Sequence, residues 1–167
     1  MARPSFYIET HGCQMNMYDS DFIAHVLSNA GYTPAGSPRD AAILLVNTCT
    51  VRDRAERKAL SRLAEMASMK AGMPGIVIGI LGCAAQRLGL ALIRPGGHID
   101  LVAGPDSYSR LPGHLENLAS GSGPIIDVTQ DHDTTYSLTP DSCSSVKAFV
   151  SIMRGCDNFC SYCVVPY

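Results

Sequence analysis

The sequence lacks a secretion leader: its opening, MARPSFYIET, has no charged stretch followed by an apolar run. It also lacks any apolar segment long enough to cross a bilayer, so no membrane association is expected. Positive charge is not in excess either. Thirteen Lys and Arg stand against 15 Asp and Glu, a formal net charge of −2, so any grip on nucleic acid would have to be local. No solenoid-type repeat is present. These absences leave a cytoplasmic globular chain as the expectation. With 46% of its 167 residues hydrophobic, it can bury one compact core and carry a short extra segment.

Cysteine is plentiful by contrast. There are seven, at positions 13, 49, 83, 143, 156, 160 and 163. An odd number in a chain without a leader argues against a disulfide framework; clustered thiols in a reducing compartment suggest metal binding or catalysis.

Phe6–Thr10 reads as a short strand, followed by a helix that Asp19 precedes and whose apolar face is Phe22, Ile23, Val26 and Leu27, with Gly31 at its C-terminal cap. Ala41–Val46 and Ile76–Leu81 are continuous apolar runs, as in strands covered on both faces. Between them Val51–Ala71 reads as a long helix; Ala84–Ile93 reads as a shorter one. Ile99–Val102 is a weaker strand, and Ser107–Ala119 a helix opening at Asp106 or Ser107. This alternation predicts an α/β fold, an open parallel sheet flanked by helices. Residues 1–120 form that domain. Residues 121–145, rich in Ser, Gly, Asp and Thr, form a linker with one short strand at Ile125–Val128, and 146–167 begin a second domain with a strand at Lys147–Met153.

Cys13, Cys49 and Cys83 each lie just beyond one of the first three strands and shortly before a helix. In an open parallel sheet all the strands' carboxyl ends share one edge, where ligands bind. Three cysteines distant in sequence would therefore meet there, in a setting of free N–H groups and helix dipoles that suits thiolate ligands. Gly12 and Gly82, each before its cysteine, would let backbone approach a bulky inorganic group. Three ordinary buried cysteines are the plain alternative, and a zinc site is the competitor. Zinc normally takes four protein ligands, and His11, the nearest candidate, is better read as a solvated surface histidine.

A second trio, Cys156, Cys160 and Cys163, stands in a CxxxCxxC run. Three thiolates can wrap one cluster and leave one iron open, the mark of a catalytic metal site. Cys143 reads as a spectator thiol in the linker. Arg52, Arg54, Arg57, Lys58 and Arg62 read as a solvated basic helix face, with Arg52 close enough to Cys49 to face a substrate. Gln14 and Asn16 are candidate hydrogen-bond donors to cluster sulfurs.

The CxxxC-x-aromatic-C run after a strand resembles the radical S-adenosylmethionine enzymes. HGCQMN, NTCTVR, GCAAQR, AGPDSYSRLP and FVSIMRGCDNFCSYCVVPY together resemble the methylthiotransferase family within them, over nearly the whole chain. The resemblance implies two [4Fe–4S] clusters. Cys156, Cys160 and Cys163 would hold one, whose open iron takes S-adenosylmethionine, with Tyr162 near the adenine; cleavage there releases a deoxyadenosyl radical. Cys13, Cys49 and Cys83 would hold the other, which supplies the sulfur. The implied reaction replaces C–H by C–SCH₃ at C2 of an isopentenylated adenine beside the anticodon of tRNA. An electron donor such as flavodoxin or ferredoxin is implied too. Siblings act on threonylcarbamoyl-adenosine or a ribosomal-protein aspartate, but GCQMN favours the isopentenyl-adenosine branch. Family members continue through a partial barrel to a small RNA-binding β domain, so the 167 residues alone are expected to have little or no activity. The rival outside the class is an inactive cluster- or zinc-binding fragment.

Overall fold

The computed structural model describes residues 4–70, 72–93, 97–130, 151–153, 155–163 and 165. Six strands form a single parallel sheet in the order β2-β1-β3-β4-β5-β6: β1 (Ser5–His11), β2 (Thr33–Pro34), β3 (Ile43–Thr48), β4 (Val77–Leu81), β5 (Leu101–Ala103) and β6 (Ile125–Asp127). Four helices connect them: α1 (Gln14–Asn29), α2 (Asp53–Lys70), α3 (Cys83–Leu88) and α4 (Leu111–Ala119).

Strand β3 is the centre, buried at every residue. Side chains alternate across a strand, so its apolar run divides between two cores. Ile43 and Leu45 join Phe6, Leu81, Leu101 and Ala103 beneath Phe22, Ile23 and Leu27 of α1 and Leu111 and Leu115 of α4. Leu44 and Val46 join Ile78, Ile80 and Val102 beneath Ala59, Leu63 and Met66 of α2 and Ala85 of α3. The expected open sheet with helices on both faces is what forms. Gly79 in β4 is required by packing: a Cβ there would lie 2.8 Å from Leu45 Cδ2 and 3.3 Å from Leu101 Cβ.

Several elements differ from the sequence reading. Helix α1 begins five residues before Asp19, with Cys13 as its N-cap in extended conformation (φ −98°, ψ −176°). Cys13 and Asn16 form a capping box, in which Asn16 Oδ1 accepts the Cys13 N–H at 3.1 Å. Asp19 is fully buried inside the helix, where Tyr108 Oη donates to it at 3.3 Å. Strand β2, two residues long, comes from pairing with the edge of β1 rather than from any apolar pattern. Helix α3 stops at Leu88 and continues as a 3-10 turn, Gly89–Leu92. Another 3-10 turn, Pro105–Arg110, precedes α4. The short strand near residue 125 is the sixth member of the sheet, pairing Ile126 with Val102.

Asp127 anchors that last strand. Arg110 Nε donates to it at 2.7 Å and Nη2 at 3.0 Å, and the His114 ring lies 2.8 Å away. Burial alone would push the Asp127 carboxyl up, but Arg110, His114 and Thr129 overcome it and hold it well below the usual carboxylate range. Of the strand expected at Lys147–Met153, residues 147–150 lie outside the described residues, and 151–153 are not strand. Cys143 also lies outside them.

Candidate metal centre at the carboxyl edge of the sheet

From β1 the chain runs to β2 on one side, then to β3 on the other. The strand order therefore reverses between β1 and β3, and in doubly wound sheets that reversal opens a crevice at the carboxyl ends. Cys13 and Cys49 flank it. Cys83 follows β4, the next strand along. The register pairs His11 with Thr48 and Asn47 with Leu81, so the three strands end nearly level. The ladder continues one step further, where Cys49 N donates to His11 O at 3.1 Å. The structure thus brings the first trio onto three adjacent strand ends of one edge.

The turns there are tight because both glycines lack a side chain. A Cβ on Gly12 would stand 2.8 Å from Cys49 Cβ, so the Cys13 turn rests directly on Cys49. A Cβ on Gly82, whose φ is +97°, would stand 2.5 Å from Asn47 Oδ1 and 2.5 Å from Thr48 O. Cys49 is buried, while Cys13 and Cys83 are partly exposed. Val51 N donates to Cys49 Sγ at 3.3 Å. Among the described residues no three His, Cys, Asp or Glu side chains converge to hold a single metal ion.

Asn16 and Asn47, both fully buried, form a hydrogen-bonded pair beneath these turns. Asn47 Nδ2 donates to Asn16 O at 2.9 Å and to Ser20 Oγ at 3.0 Å. Asn47 Oδ1 is thereby left as an acceptor and receives Asn16 Nδ2 at 3.2 Å. Asn16 consequently presents its oxygen to Cys13, 3.4 Å from Sγ, so the expected donor to a cluster sulfur is an acceptor. Asn47 was not singled out in the sequence; a polar residue closing the apolar run Ile43–Val46 was the signal.

Arg52 does face this site. Its side chain reaches back across the edge and donates from Nη1 to Gly12 O at 3.1 Å. A cavity of about 660 Å³ opens between Arg52, Gly12, Cys13, Gln14, Met15 and Met17. His11 is not a solvated histidine: it is 9% exposed, and its Nε2 lies 2.8 Å from Glu9 Oε1. Arg62 leaves the basic face to clasp the same carboxylate, with Nε 2.9 Å from Oε1 and Nη2 2.9 Å from Oε2. Burial raises the Glu9 carboxyl, but Arg62 and then His11 outweigh it and lower it below its ordinary value.

The second trio lies in a run of bends and turns. Cys163 N donates to Cys160 O at 3.0 Å, and Asn158 Nδ2 to Cys156 Sγ at 3.3 Å. Tyr162 is 91% exposed. Tyr162, Cys163 and Val165 share a cavity of about 560 Å³ with Thr50, Val51, Asp53 and Arg87. That cavity is walled on one side by the loop directly after Cys49. Arg87, which the sequence reading passed over, holds the wall by donating to Thr50 Oγ1 at 2.7 Å and to both oxygens of Glu56 at 2.7 Å.

Residues 5–104, which contain β1 to β5 and the first trio, match the model of a family described as uncharacterized protein family UPF0004. The chain belongs to that family. It is similar to proteins named tRNA-2-methylthio-N(6)-dimethylallyladenosine synthase: 41% identical over 165 residues to that of Desulfosudis oleivorans, covering 97% of this chain and 35% of the relative. The protein of that name from Porphyromonas gingivalis is 47% identical over 167 residues, covering 96% and 36%. That from Alkalilimnicola ehrlichii is 42% identical over 163 residues, again 96% and 36%. The chain thus spans little more than a third of the length of these curated relatives. Their names agree with the methylthiotransferase resemblance carried by the two cysteine motifs. Among the described residues no helix is long and apolar enough to cross a membrane.

Proposed function

We propose that this UPF0004 chain carries the cysteine-bearing part of a tRNA methylthiotransferase. In this reading Cys13, Cys49 and Cys83 hold one [4Fe–4S] cluster, and Cys156, Cys160 and Cys163 hold another that takes S-adenosylmethionine. The observation that carries it is the seating of three cysteines on three neighbouring strand ends at the reversal of strand order. The donor set fits such a group. A cubane gives each thiolate its own iron, so the sulfurs need not converge on one atom, and the Gly12 and Gly82 turns, where a Cβ would strike Cys49, Asn47 and Thr48, let the three strand ends pack closely. When bound, the two groups supply radical generation at one site and sulfur at the other.

The chain's own residues would do the rest. Arg52, donating one N–H to the Gly12 carbonyl, fixes the mouth of the Cys13 cavity and would have further N–H donors for an anionic ligand such as RNA phosphate. Arg87 and Glu56 brace the 50–53 loop that separates the two trios. Tyr162, exposed beside Cys163, offers an aromatic face to an adenine. The substrate in this reading is the isopentenylated adenine beside the anticodon, modified at C2 in the cytoplasm with electrons from a flavodoxin or ferredoxin. Residues 1–120, with β6 (Ile125–Asp127) completing their sheet, would be the sulfur-donating domain, the rest of 121–145 the linker and 146–167 the start of the radical-generating domain.

Anaerobic reconstitution followed by iron, sulfide and zinc analysis tests the reading. About eight irons and eight sulfides per chain are expected, falling by half when either trio is replaced by alanine. One zinc and no sulfide would defeat it. The 167 residues alone are expected to leave tRNA unmodified, and measurable turnover would show that no further segment is needed.

A further inference from the structure

We propose that Asn16 and Asn47 are positioning residues that lock the three cysteine turns to one another, so that the first trio presents its sulfurs at a fixed spacing. The proposal rests on the reading that this trio ligates a cluster.

The sheet itself does not require this pair. Residues 43–46 of β3 are buried and apolar, and a leucine at 47 would continue that pattern without burying an amide. Burying polar groups costs free energy unless every group is paired. Here each buried amide atom has a partner, and the pair touches all three cysteine turns, by a hydrogen bond at the first, through the chain at the second and by packing at the third. The first turn is tied through Asn16 Oδ1, which accepts the Cys13 N–H at 3.1 Å. The second turn carries Asn47 itself, two residues before Cys49. The third turn rests on Asn47: a Cβ at Gly82 would come within 2.5 Å of Asn47 Oδ1, so only glycine lets Cys83 start its helix there. The Asn16 Nδ2 to Asn47 Oδ1 bond of 3.2 Å joins the first turn to the other two. Ser20 extends the network to β1, its Oγ lying 3.0 Å from Asn47 Nδ2 and 2.7 Å from Thr10 Oγ1.

Helix α1 uses Asn16 Oδ1 to hold the N–H of its N-cap, but it does not need the bond to Asn47. The Asn16 carbonyl sits in the first turn of a helix, where the N–H four residues on already uses it, and the Asn47 amide is a second partner. The bond is therefore between elements. Groups behind a ligand shell that fix ligand orientation typically change metal retention about 10–100-fold when removed.

The test uses the full chain with Cys156, Cys160 and Cys163 replaced by alanine, so that only the first trio can load. Asn47→Leu, Asn16→Ala and the double variant are compared with this parent after anaerobic reconstitution. The measurements are iron content, the rate of iron loss to a chelator, the electron paramagnetic resonance spectrum of the reduced protein, and the melting temperature of the metal-free chain. Expected are metal-free melts somewhat below the parent's, because a buried amide loses its partner, together with iron loss about tenfold faster or more at temperatures where every variant is still folded, and a broadened spectrum. The double variant should fall short of the sum of the two single effects, because the two residues share the Asn16 Nδ2–Asn47 Oδ1 bond. Asn16→Ala also gives a readout should Asn47→Leu fail to fold. Parent-like iron loss and spectra in the variants would overturn the proposal. So would equally fast iron loss and an equally broad spectrum in Leu27→Ala, a buried core position on α1 away from the cysteine turns, since the pair would then be merely structural. A parent that loads no iron would overturn the cluster reading itself.

Discussion

Replacing Gly82 by alanine perturbs the edge at the point where the third cysteine turn meets the second, and Gly75 supplies a control. Both glycines have positive φ, +97° and +91°, where an alanine bears at least about 1–2 kcal/mol of backbone strain; at Gly82, whose ψ is −169°, the conformation is essentially glycine's alone. They differ in their surroundings too. Around Gly75 a Cβ would meet nothing within 4 Å, whereas at Gly82 it would sit 2.5 Å from Asn47 Oδ1, 2.5 Å from Thr48 O and 3.2 Å from Thr48 N. Two of those three atoms are backbone of the fully buried strand β3 and cannot swing away. Relieving the overlap therefore means shifting a strand end or breaking the asparagine pair, which costs about 1–3 kcal/mol in a packed interior. Gly75→Ala should thus lose about 1–2 kcal/mol and Gly82→Ala about 2–5 kcal/mol. Urea unfolding of the metal-free chain, followed by circular dichroism, measures both, and the difference removes the shared strain. In a thermal melt that difference corresponds to about 4–12 °C at about 4 °C per kcal/mol. Equal destabilisation would refute the reasoning, for it would mean that the Gly82 turn has room and that the three cysteine turns are not in register.

Two further outcomes follow from the packing and the charges. Leu45→Ala, at a position with no exposure whose side chain fills the space left by Gly79, should cost about 3–5 kcal/mol in urea. A smaller loss accompanied by recovery in Leu45→Ala/Gly79→Ala would show that an added methyl refills the gap. The Asp127 carboxyl is depressed in the fold below its ordinary value, so its stabilisation is present above about pH 4 and is lost as pH falls from there toward the folded-state value. Asp127→Asn should therefore be less stable than the parent at pH 7 by about 2 kcal/mol, reduced from a fully buried pair because Arg110 is 40% exposed. The gap should close progressively on acidification toward pH 2; a gap independent of pH would mean that the carboxylate charge does not hold β6.

How far this molecule can be read from its sequence depends on the range of the interaction concerned. Strands β3 and β4 were legible because burial on both faces leaves a continuous apolar run, a signal needing no knowledge of partners. The strand ends fixed the places of Cys13, Cys49 and Cys83, so the trio's location followed from topology alone. The start of α1 was misplaced for a local reason: Cys13 is not a usual N-cap, and its capping box is closed by Asn16 rather than by Glu or Gln, which left Asp19 as the more familiar start signal. Asp19 faces inward because Tyr108, 89 residues away, offers its hydroxyl, and His11 is buried because Arg62 brings a counter-charge to Glu9 from 53 residues away. No pattern along the chain encodes such partners. The same holds for Asn16 and Asn47, whose bond depends on the crossing of α1 over the end of β3. Ligand-bearing residues repeat a local motif and announce themselves, while the groups that orient them are chosen by tertiary geometry. A polar side chain closing an apolar strand is the one trace such a group leaves, and at Asn47 that trace points to the centre of the cysteine edge.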